Sequence, residues 1–432
     1  MSIYEKTLNA LATTEIRGRF RTLYGVQDGL QERQLKRYSQ VIRTHEKLFG
    51  ASAPASLALV SAPGRVEVVG NHTDHQNGRV MAAAVNMDMI AAVSPREDKT
   101  VRLQSDGYPL LELSLDNLHP VDAERGTTAA LIRGVACGLK NDGHAIGGFD
   151  AAVQSDVLGG SGLSSSAAFE VLTAAIFDTL YPGKQPLDAV RRAQIAQFAE
   201  NVYFGKPSGL MDQMASSVGG LTAIDFGQEP PAIEPLSFRF GEVGYAIIVV
   251  NTRGSHDHLT GEYAAIREEM TAVARFFGQE ALGSVSRAQV LEHAGELRER
   301  CGDRAVLRAL HFFEENERVP LQVERLKKGD LRAFLDGEIA SGESSWMLLQ
   351  NVHMPGTSQP ISLALALARE LLGSRGAWRV HGGGFAGTTL NYVPQDLVPA
   401  FKRAMENSFG PGCCHILDVR PVGPALVHKQ LP

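Results

Sequence analysis

The sequence predicts a mixed α/β (α+β) fold, because strand-like and helix-like apolar patterns alternate along the chain. Apolar residues at positions 149, 151, 153 and 157 share one face of a predicted strand. From Ser164 onward the apolar spacing becomes helical, and residues 187–203 form a second amphipathic pattern of this kind. No internal repeat array is visible in the sequence, which argues against a repeat architecture.

The first part of the chain is predicted to be helical and charged over residues 1–52. Apolar stretches at 57–60 and 66–69 are predicted strands. Ala62-Pro63-Gly64 lies between them and is typical of a turn, because proline and glycine both interrupt regular structure. We therefore expect two short strands here, joined by a tight connection.

The second part of the chain is predicted to begin with a strongly apolar strand, Tyr245–Asn251. Helical patterns follow near 262–277 and 361–372. A glycine-rich hairpin is expected at 381–387, because strand-like segments flank it on both sides.

The length of 432 residues is sufficient for two domains with a large buried core. Residues 228–235 are rich in proline and acidic side chains, which indicates a domain junction. We predict a helical extension over 1–52, a first domain over 53–235 and a second domain over 236–432. The sequence assigns no role to the extension.

Composition argues against several classes of function. The formal net charge is −6 and basic residues are mixed with acidic ones, which disfavours nucleic-acid binding. No apolar run approaches the roughly 18 residues of a membrane span, and the N-terminus lacks the apolar core of a signal peptide. Four cysteines without paired metal spacing favour a reducing compartment. We expect a cytoplasmic protein, monomeric or a small homo-oligomer, with no nucleic-acid or membrane partner.

A glycine- and serine-rich segment connects a predicted strand to a predicted helix. Its glycines allow consecutive backbone amides to converge on one point, and the helix start adds its positive dipole end. Serine hydroxyls there can bind phosphate or Mg²⁺, although a glycine-rich turn with a serine cap is the simpler alternative. No lysine follows, so this is not the G-x-x-x-x-G-K-[ST] loop. The segment comprises Gly159, Gly160, Ser161, Gly162, Leu163, Ser164, Ser165 and Ser166.

Three ionisable residues stand in apolar surroundings. Asp212 follows a Pro-Ser-Gly turn, and a carboxylate there needs a partner such as an arginine to stay ionised. Arg65 precedes an apolar strand; a purely structural Asp–Arg pair is the alternative reading of the two residues. Glu200 lies near the end of a predicted helix on its apolar side, where a carboxylate suits Mg²⁺ beside nucleotide phosphates. A solvated helix position is the alternative for Glu200.

In their order along the chain, these segments resemble the galactokinases of the GHMP kinase superfamily. Residues 61–75 are similar to the family's sugar-binding signature, A-P-G-R-V-N-L-I-G-E-H-T-D-Y. Residues 160–170 resemble the superfamily phosphate loop, and 382–387 resemble the G-x-G-F-G-G segment. Residues 200–213 resemble the segment with the catalytic aspartate, and 251–263 the stretch with a histidine and a tyrosine near the sugar.

The resemblance implies a two-domain kinase fold with the active site in the interdomain cleft, and it implies ATP and Mg²⁺. Asp212 would take the proton of the sugar O1 hydroxyl or hold that oxygen for in-line attack. Arg65 would pair with Asp212 and stabilise the transferring phosphoryl group. Residues 159–166 would bind the phosphates, and Mg²⁺ would be held by Ser165 or Ser166 with Glu200. The implied sugar-binding residues are Asn71, His72, Asp74, Gly209 and Tyr263.

The sequence departs from the family pattern at Asn71, His75, His381 and Ala386, among other positions. Asn71 replaces a glutamate that holds the sugar near its C6 hydroxyl, and His75 replaces a tyrosine. An amide at position 71 suits a sugar with an acceptor or a carboxylate at C6, and 74–76 resemble the galacturonate kinases of plants. Galactose and galacturonate, or another galactose-related sugar, therefore both stay open. His381 replaces a threonine, and Ala386 replaces a glycine.

Two other hypotheses differ in class. A regulator that binds sugar and ATP without turnover is disfavoured by the presence of Asp212, Arg65 and the serines at 164–166. A GHMP kinase for homoserine or mevalonate is disfavoured by 65–74, which resembles the sugar branch of the superfamily. The sequence thus favours an active galactokinase-type sugar 1-kinase.

Overall fold

The computed structural model describes residues 1–26, 29–51, 54–157, 162–254, 260–354, 356–385 and 387–431. Its strands are β1 (Leu57–Val69), β2 (Arg79–Pro95), β3 (Thr100–Ser105), β4 (Leu111–Ser114), β5 (Phe149–Ser155), β6 (Leu221–Asp225), β7 (Ala232–Leu236), β8 (Tyr245–Asn251), β9 (Ala377–His381), β10 (Thr388–Pro394), β11 (Cys414–Leu417) and β12 (Ala425–Gln430). Its helices are α1 (Ile3–Ala10), α2 (Thr14–Tyr24), α3 (Leu30–Phe49), α4 (Thr128–Asn141), α5 (Ser165–Leu180), α6 (Ala189–Phe198), α7 (Met211–Val218), α8 (Thr260–Phe276), α9 (Arg287–Glu292), α10 (Ala294–Cys301), α11 (Asp303–Lys328), α12 (Leu331–Ser344), α13 (Pro360–Leu372) and α14 (Val398–Phe409).

The first sheet has the order β12-β1-β2-β5-β3-β4, with β6 paired to β2 and β7 paired to β6. It is buried on both faces, which explains why β1 is apolar almost throughout. Ala58 and Val60 belong to the cluster that packs against α4 and α5. Leu57 and Leu59 belong to the cluster formed with α1, α2 and α3. The predicted helical extension therefore covers one face of this sheet.

The second sheet has the order β11-β8-β10-β9, and all its pairs are antiparallel. Residues of α13 and α14 pack on one of its faces. Helix α12 lies against β9, and its apolar side chains belong to the same cluster as those of the first sheet. The last strand, β12, returns to pair with β1 of the first sheet. The predicted division at residue 235 stays a prediction, and it does not account for this return.

Most of the predicted elements form where the sequence places them. The strand Tyr245–Asn251 and the helix that begins after Ser164 are confirmed. The helix predicted over 187–203 is α6 followed by a π-helical turn, Ala199–Phe204. Among the described residues, no helix is long and apolar enough to cross a membrane.

The turn predicted at Ala62-Pro63-Gly64 is wrong, because the chain runs through it as one strand. Pro63 lies opposite Asp88 of β2, and the register shifts between Pro63 and Arg65. Such a bulge accommodates a residue that has no backbone N–H and re-aims the side chains that follow it. The result is that Arg65 leaves the core and reaches a cavity beside the sheet.

Candidate active site

A cavity of about 380 Å³ lies between elements of the two sheets. This volume is in the range of small-molecule sites. Its wall combines residues of β1, the segment after β1, the start of α5, the segment before α7, α8 and the β9–β10 connection. The predicted position of the site, in a cleft formed by both halves of the chain, agrees with this arrangement.

An ion pair between Arg65 and Asp212 forms the wall where β1 meets α7. Arg65 Nε lies 2.8 Å and its NH2 nitrogen 2.7 Å from Asp212 Oδ1. The Arg65 side chain is only 6% exposed, whereas that of Asp212 is 27% exposed. A carboxylate with a free edge toward the cavity can still accept a proton or a hydrogen bond from a ligand.

Asp212 is held in its ionised form. Burial acts to raise its pKa, but the charge and hydrogen bonds of Arg65 and the hydroxyl of Ser164 together bring it below its ordinary value. Asp212 also lies in the first turn of α7, where the helix dipole favours a negative charge. The sequence prediction of an arginine-paired, ionised Asp212 agrees with this geometry.

The described part of the predicted phosphate loop touches the same ion pair. Gly162 accepts a hydrogen bond at its carbonyl from Arg65 at 2.6 Å, and Leu163 accepts one from the Arg65 backbone N–H at 3.2 Å. The side chain of Leu163 lies in the core rather than in the cavity. Gly162 and Ser164 have positive φ values of 74° and 56°, so the chain turns sharply before α5 begins.

Some predicted residues lie outside the described residues. These are Gly159, Gly160 and Ser161 of the phosphate loop, and Ala386 of the second glycine cluster. The amides at 162–166 are the described part of the loop, and Ser164, Ser165 and Ser166 all line the cavity.

Glu200 lies in the π-helical turn after α6 and is 1% exposed. Its Oε1 accepts from Ser166 Oγ at 2.8 Å and from Lys206 Nζ at 2.9 Å. Its Oε2 accepts from Ser208 Oγ at 2.6 Å and from Gln213 Nε2 at 2.7 Å. Four donors therefore surround this carboxylate.

Ser166 and Glu200 fit the donor set of a magnesium site, because both offer hard oxygen atoms beside the phosphate loop. Among the described residues, no cluster of three or more histidine, cysteine, aspartate or glutamate side chains could hold a metal ion alone. A magnesium ion here would consequently need oxygen atoms from a bound phosphate and from water. Ser165 lines the cavity as well.

Asp74 and Gly209 approach each other at the end of the cavity near α7. Asp74 Oδ2 accepts from the backbone N–H of Met211 at 3.4 Å. A Cβ atom on Gly209 would overlap the Asp74 carboxylate, so glycine is required there for this approach. Burial and the neighbouring Asp212 raise the pKa of Asp74. Both predicted residues line the cavity.

His72 and Tyr263 line the opposite wall and bind the β9–β10 connection. His72 Nε2 lies 3.3 Å from the carbonyl of Gly383, and the Tyr263 hydroxyl donates to the carbonyl of Gly384 at 3.1 Å. Burial lowers the pKa of His72 to about 4 and raises that of Tyr263 to about 12. Both side chains are thus neutral at physiological pH.

The structure places Asn71 away from the cavity. It is fully buried, and its Nδ2 donates to Glu67 Oε1 at 2.8 Å and to the carbonyl of Gly382 at 2.8 Å. Its Oδ1 accepts from Asn351 Nδ2 at 2.9 Å. Because both ends of the amide are bonded within the protein, direct ligand binding by Asn71, as the sequence implied, does not fit this arrangement.

Glu67 lies on the cavity wall instead, although sequence reasoning did not select it. Arg379 is 2.8 Å from its carboxylate, and burial raises the pKa of Glu67 to about 7 against the effect of Arg379 and Arg65. Side chains two residues apart in a strand point to the same face, so Glu67 lies on the same side as Arg65. This spacing could have identified Glu67 as a cavity residue.

Lys206 and Arg267 also line the cavity and were not predicted, whereas His75 was noted only as a departure from the family pattern. Lys206 is 57% exposed and presents its ammonium group between Glu200 and the cavity. His75 has a buried Nε2 that finds no partner among the described residues, and Arg267 of α8 lies on the same wall. A lysine in a loop and an arginine on a charged helix carry no pattern that distinguishes them from solvated residues.

Comparison with protein families matches two parts of the chain. Residues 43–95 match the galactokinase galactose-binding signature, and 130–220 match the N-terminal domain of GHMP kinases. A galactokinase of Actinobacillus pleuropneumoniae serotype 3 is 33% identical over 368 residues, which is 84% of this chain and 91% of that protein. A galactokinase of Glaesserella parasuis serovar 5 is 33% identical over 359 residues, covering 82% and 90% of the two chains.

Solved structures give a consistent picture. Lactococcus lactis galactokinase complexed with galactose superposes with a TM-score of 0.77 at 25% identity, covering 90% of this chain and 99% of that one. Mevalonate kinase of Methanococcus jannaschii superposes with a TM-score of 0.59 at 13% identity, covering 87% and 98%, and supports the fold alone.

The Glu67–Asn71 contact generates a prediction on stability. Asn71→Glu places a second carboxylate against Glu67 and against the Gly382 carbonyl, so we expect a loss of about 3 kcal/mol or more. The loss should grow as pH rises, because at low pH one carboxyl of the pair can stay protonated. Thermal unfolding measured between pH 5 and 8 checks this expectation.

The double variant Glu67→Asn/Asn71→Glu restores one carboxylate and one amide and should recover a large part of the stability. Asn141→Glu, at an exposed position at the end of α4, is the control and should change little. A single variant Asn71→Glu as stable as the wild-type protein would contradict the buried contact.

Proposed function

The chain belongs to the galactokinase family, and from this premise we propose that it transfers the γ-phosphoryl group of ATP to the anomeric O1 hydroxyl of galactose. The products are galactose 1-phosphate and ADP. The proposal rests mainly on the Arg65–Asp212 ion pair, which lines the same cavity as the start of α5. Phosphoryl transfer depends mainly on positioning and electrostatics, which such a pair supplies.

Galactose is preferred over galacturonate for two reasons. The relatives described above are named galactokinases, and one solved relative is complexed with galactose. In addition, the amide of Asn71 is bonded inside the wall, while the carboxylate of Glu67 lines the cavity. The Asn71 N–H groups are therefore already used inside the protein, which removes the feature that favoured a carboxylate at C6 of the sugar.

In the proposed mechanism, the ionised Asp212 accepts the proton of the O1 hydroxyl or holds this oxygen for in-line attack. Arg65 fixes the orientation of the carboxylate and stabilises negative charge on the transferring group. Ser164 completes the arrangement, because its hydroxyl donates to the other oxygen of Asp212. Asp74, His72 and Tyr263 are proposed to position the sugar.

The triphosphate is proposed to lie at the amides of 162–166, where the positive end of the α5 dipole adds to their attraction. Lys206 supplies a mobile positive charge beside this position. Magnesium, when bound with ATP, neutralises phosphate charge, and Ser166 and Glu200 are the residues proposed to hold it. With magnesium bound there, Ser166 and Glu200 would supply oxygen ligands, and Lys206 would neutralise phosphate charge beside them.

The organisation of the molecule is also part of the proposal. We assign a helical extension to 1–52, a first kinase domain to 53–235 and a second to 236–432, with β12 returning to the first sheet. A cytoplasmic location is proposed because all four cysteines are free. Small-molecule partners are proposed because the net charge is acidic, and the enzyme is proposed to be a monomer or a small homo-oligomer.

The catalytic role of Asp212 is tested by Asp212→Asn. We expect turnover to fall by about 10³-fold with ATP affinity nearly unchanged, because the amide cannot accept the proton. Steady-state kinetics and ATP calorimetry measure the two effects. The control is Asp142→Asn, which removes a carboxylate of equal exposure, 27%, that pairs with Arg191 at 2.8 Å on the surface. Near-normal turnover of Asp212→Asn would exclude it as the base.

The substrate is tested with a panel of galactose, galacturonate, glucose, arabinose and N-acetylgalactosamine. Detection of the sugar 1-phosphate and of ADP should show the highest kcat/KM for galactose. A higher value for galacturonate would contradict the assignment of the sugar. Binding of ATP and sugar without any product would instead indicate a regulator.

Lys206 is expected to contact the triphosphate. Lys206→Met should raise the KM for ATP about tenfold and leave the KM for the sugar unchanged, because one charge-assisted contact to phosphate is lost. Lys206→Arg should retain most of the affinity. Lys184→Met, at an exposed loop position, is the control. An unchanged KM for ATP in Lys206→Met would contradict a contact with the triphosphate and would leave Lys206 the role of neutralising Glu200.

A further inference from the structure

A buried charge cluster joins the N-terminal extension to the first sheet. At its centre is Asp88 of β2, whose side chain is fully buried. Arg37 of α3 lies 2.8 Å from its Oδ1, and Arg420 lies 3.1 Å from its Oδ2. The hydroxyls of Tyr24 and Ser61 also donate to this carboxylate. A buried carboxylate with so many donors is strongly fixed in position.

Helix α3 also binds a second carboxylate, that of Asp156 at the end of β5. Arg33 lies 2.8 Å and Arg37 3.1 Å from Asp156 Oδ2. The backbone N–H of Asp156 donates to the carbonyl of Asp88 at 2.9 Å. Asp156 is the first residue after β5, so α3 fixes the point where the chain leaves this strand toward the phosphate loop.

Both carboxylates are connected by close packing to residues 63–65 of β1. Asp88 is paired with Pro63 at the bulge that re-aims Arg65. Val157, next to Asp156, packs so closely on β1 that a Cβ atom on Gly64 would lie 3.1 Å from its Cγ2. The same Cβ atom would lie 3.0 Å from the carbonyl of Leu163. A shift of α3 would thus be transmitted to Arg65 and to the start of α5.

We propose that the extension is a positioning element of the active site, and that Arg33 and Arg37 are its positioning residues. Arg33 and Arg37 hold Asp156 and Asp88 in position. These two carboxylates in turn fix where Arg65 lies relative to residues 162–166, and nucleotide phosphates require this arrangement. The inference rests on the proposed function for the nature of the ligand. The simpler role, attachment of three helices to the sheet, predicts an effect on stability alone.

The test measures binding of ATP with Mg²⁺ and of galactose by calorimetry, in the full chain. Arg33→Ala is the first variant, because Arg33 is 55% exposed and its side chain contacts Asp156 without reaching Asp88. Asp156→Asn is the second variant. Both should raise the Kd for ATP about three- to tenfold and leave the Kd for galactose unchanged, because the displacement is confined to the phosphate side of the site.

Two further variants complete the design. Arg17→Ala is the matched control, since Arg17 belongs to the same extension and its ion pair among the described residues, with Glu32 at 3.7 Å, lies on the surface. It should leave both affinities unchanged. Arg33→Lys should recover part of the ATP affinity.

Several results would overturn the proposal. The first is an unchanged ATP affinity in both Arg33→Ala and Asp156→Asn, whether or not their Tm falls. The second is a parallel loss of ATP and galactose affinity in these variants. The third is a wild-type protein that does not bind ATP. Wild-type binding of ATP without formation of galactose 1-phosphate would contradict the proposed function alone. The effect of the variants on ATP affinity would still decide the present inference.

Discussion

The ion pair between Arg65 and Asp212 is the interaction on which the rest of the site depends. Two charges with little access to water are stable only when hydrogen bonds and opposite charge compensate their loss of hydration. Here Arg65 binds both Asp212 and the carbonyl of Gly162, while Ser164 binds the other oxygen of Asp212. The pair thus links β1, α7 and residues 162–164, and it keeps the carboxylate of Asp212 ionised on the cavity wall.

The polar groups behind this pair form a second layer of support. On one side, Glu67 is bonded to Asn71 and Arg379, which ties β1 to the second sheet. On the other side, Asp88 and its partners tie β1 and β2 to the extension. Buried charges of this kind contribute little net stability, but they specify one arrangement of the backbone around them. A site that works by positioning gains from such specificity.

Much of the fold and of the site could be predicted from the sequence. The change from strand to helix periodicity located α5, and the apolar run of Tyr245–Asn251 located β8. The ionised, arginine-paired state of Asp212 followed from the cost of an isolated carboxylate in apolar surroundings. These features depend on local patterns, which a single sequence contains.

Other features depend on tertiary contacts that no local pattern specifies. A register shift after Pro63 lies within a continuous β1 where a turn was expected. The contacts of Asn71 with Glu67, the Gly382 carbonyl and Asn351 keep its side chain away from the cavity. Arg33 and Arg37, four residues apart on a charged helix, are indistinguishable in sequence from a solvated pair. Only the packing of α3 on the sheet makes them partners of Asp156.

A crystal structure of the protein with galactose and a non-hydrolysable ATP analogue would show which groups surround the reacting hydroxyl. We expect the sugar O1 within hydrogen-bonding distance of Asp212, about 3 Å, and the terminal phosphates at the amides of 162–166. A complex in which O1 points away from Asp212, or in which the nucleotide phosphates lie elsewhere, would contradict this expectation.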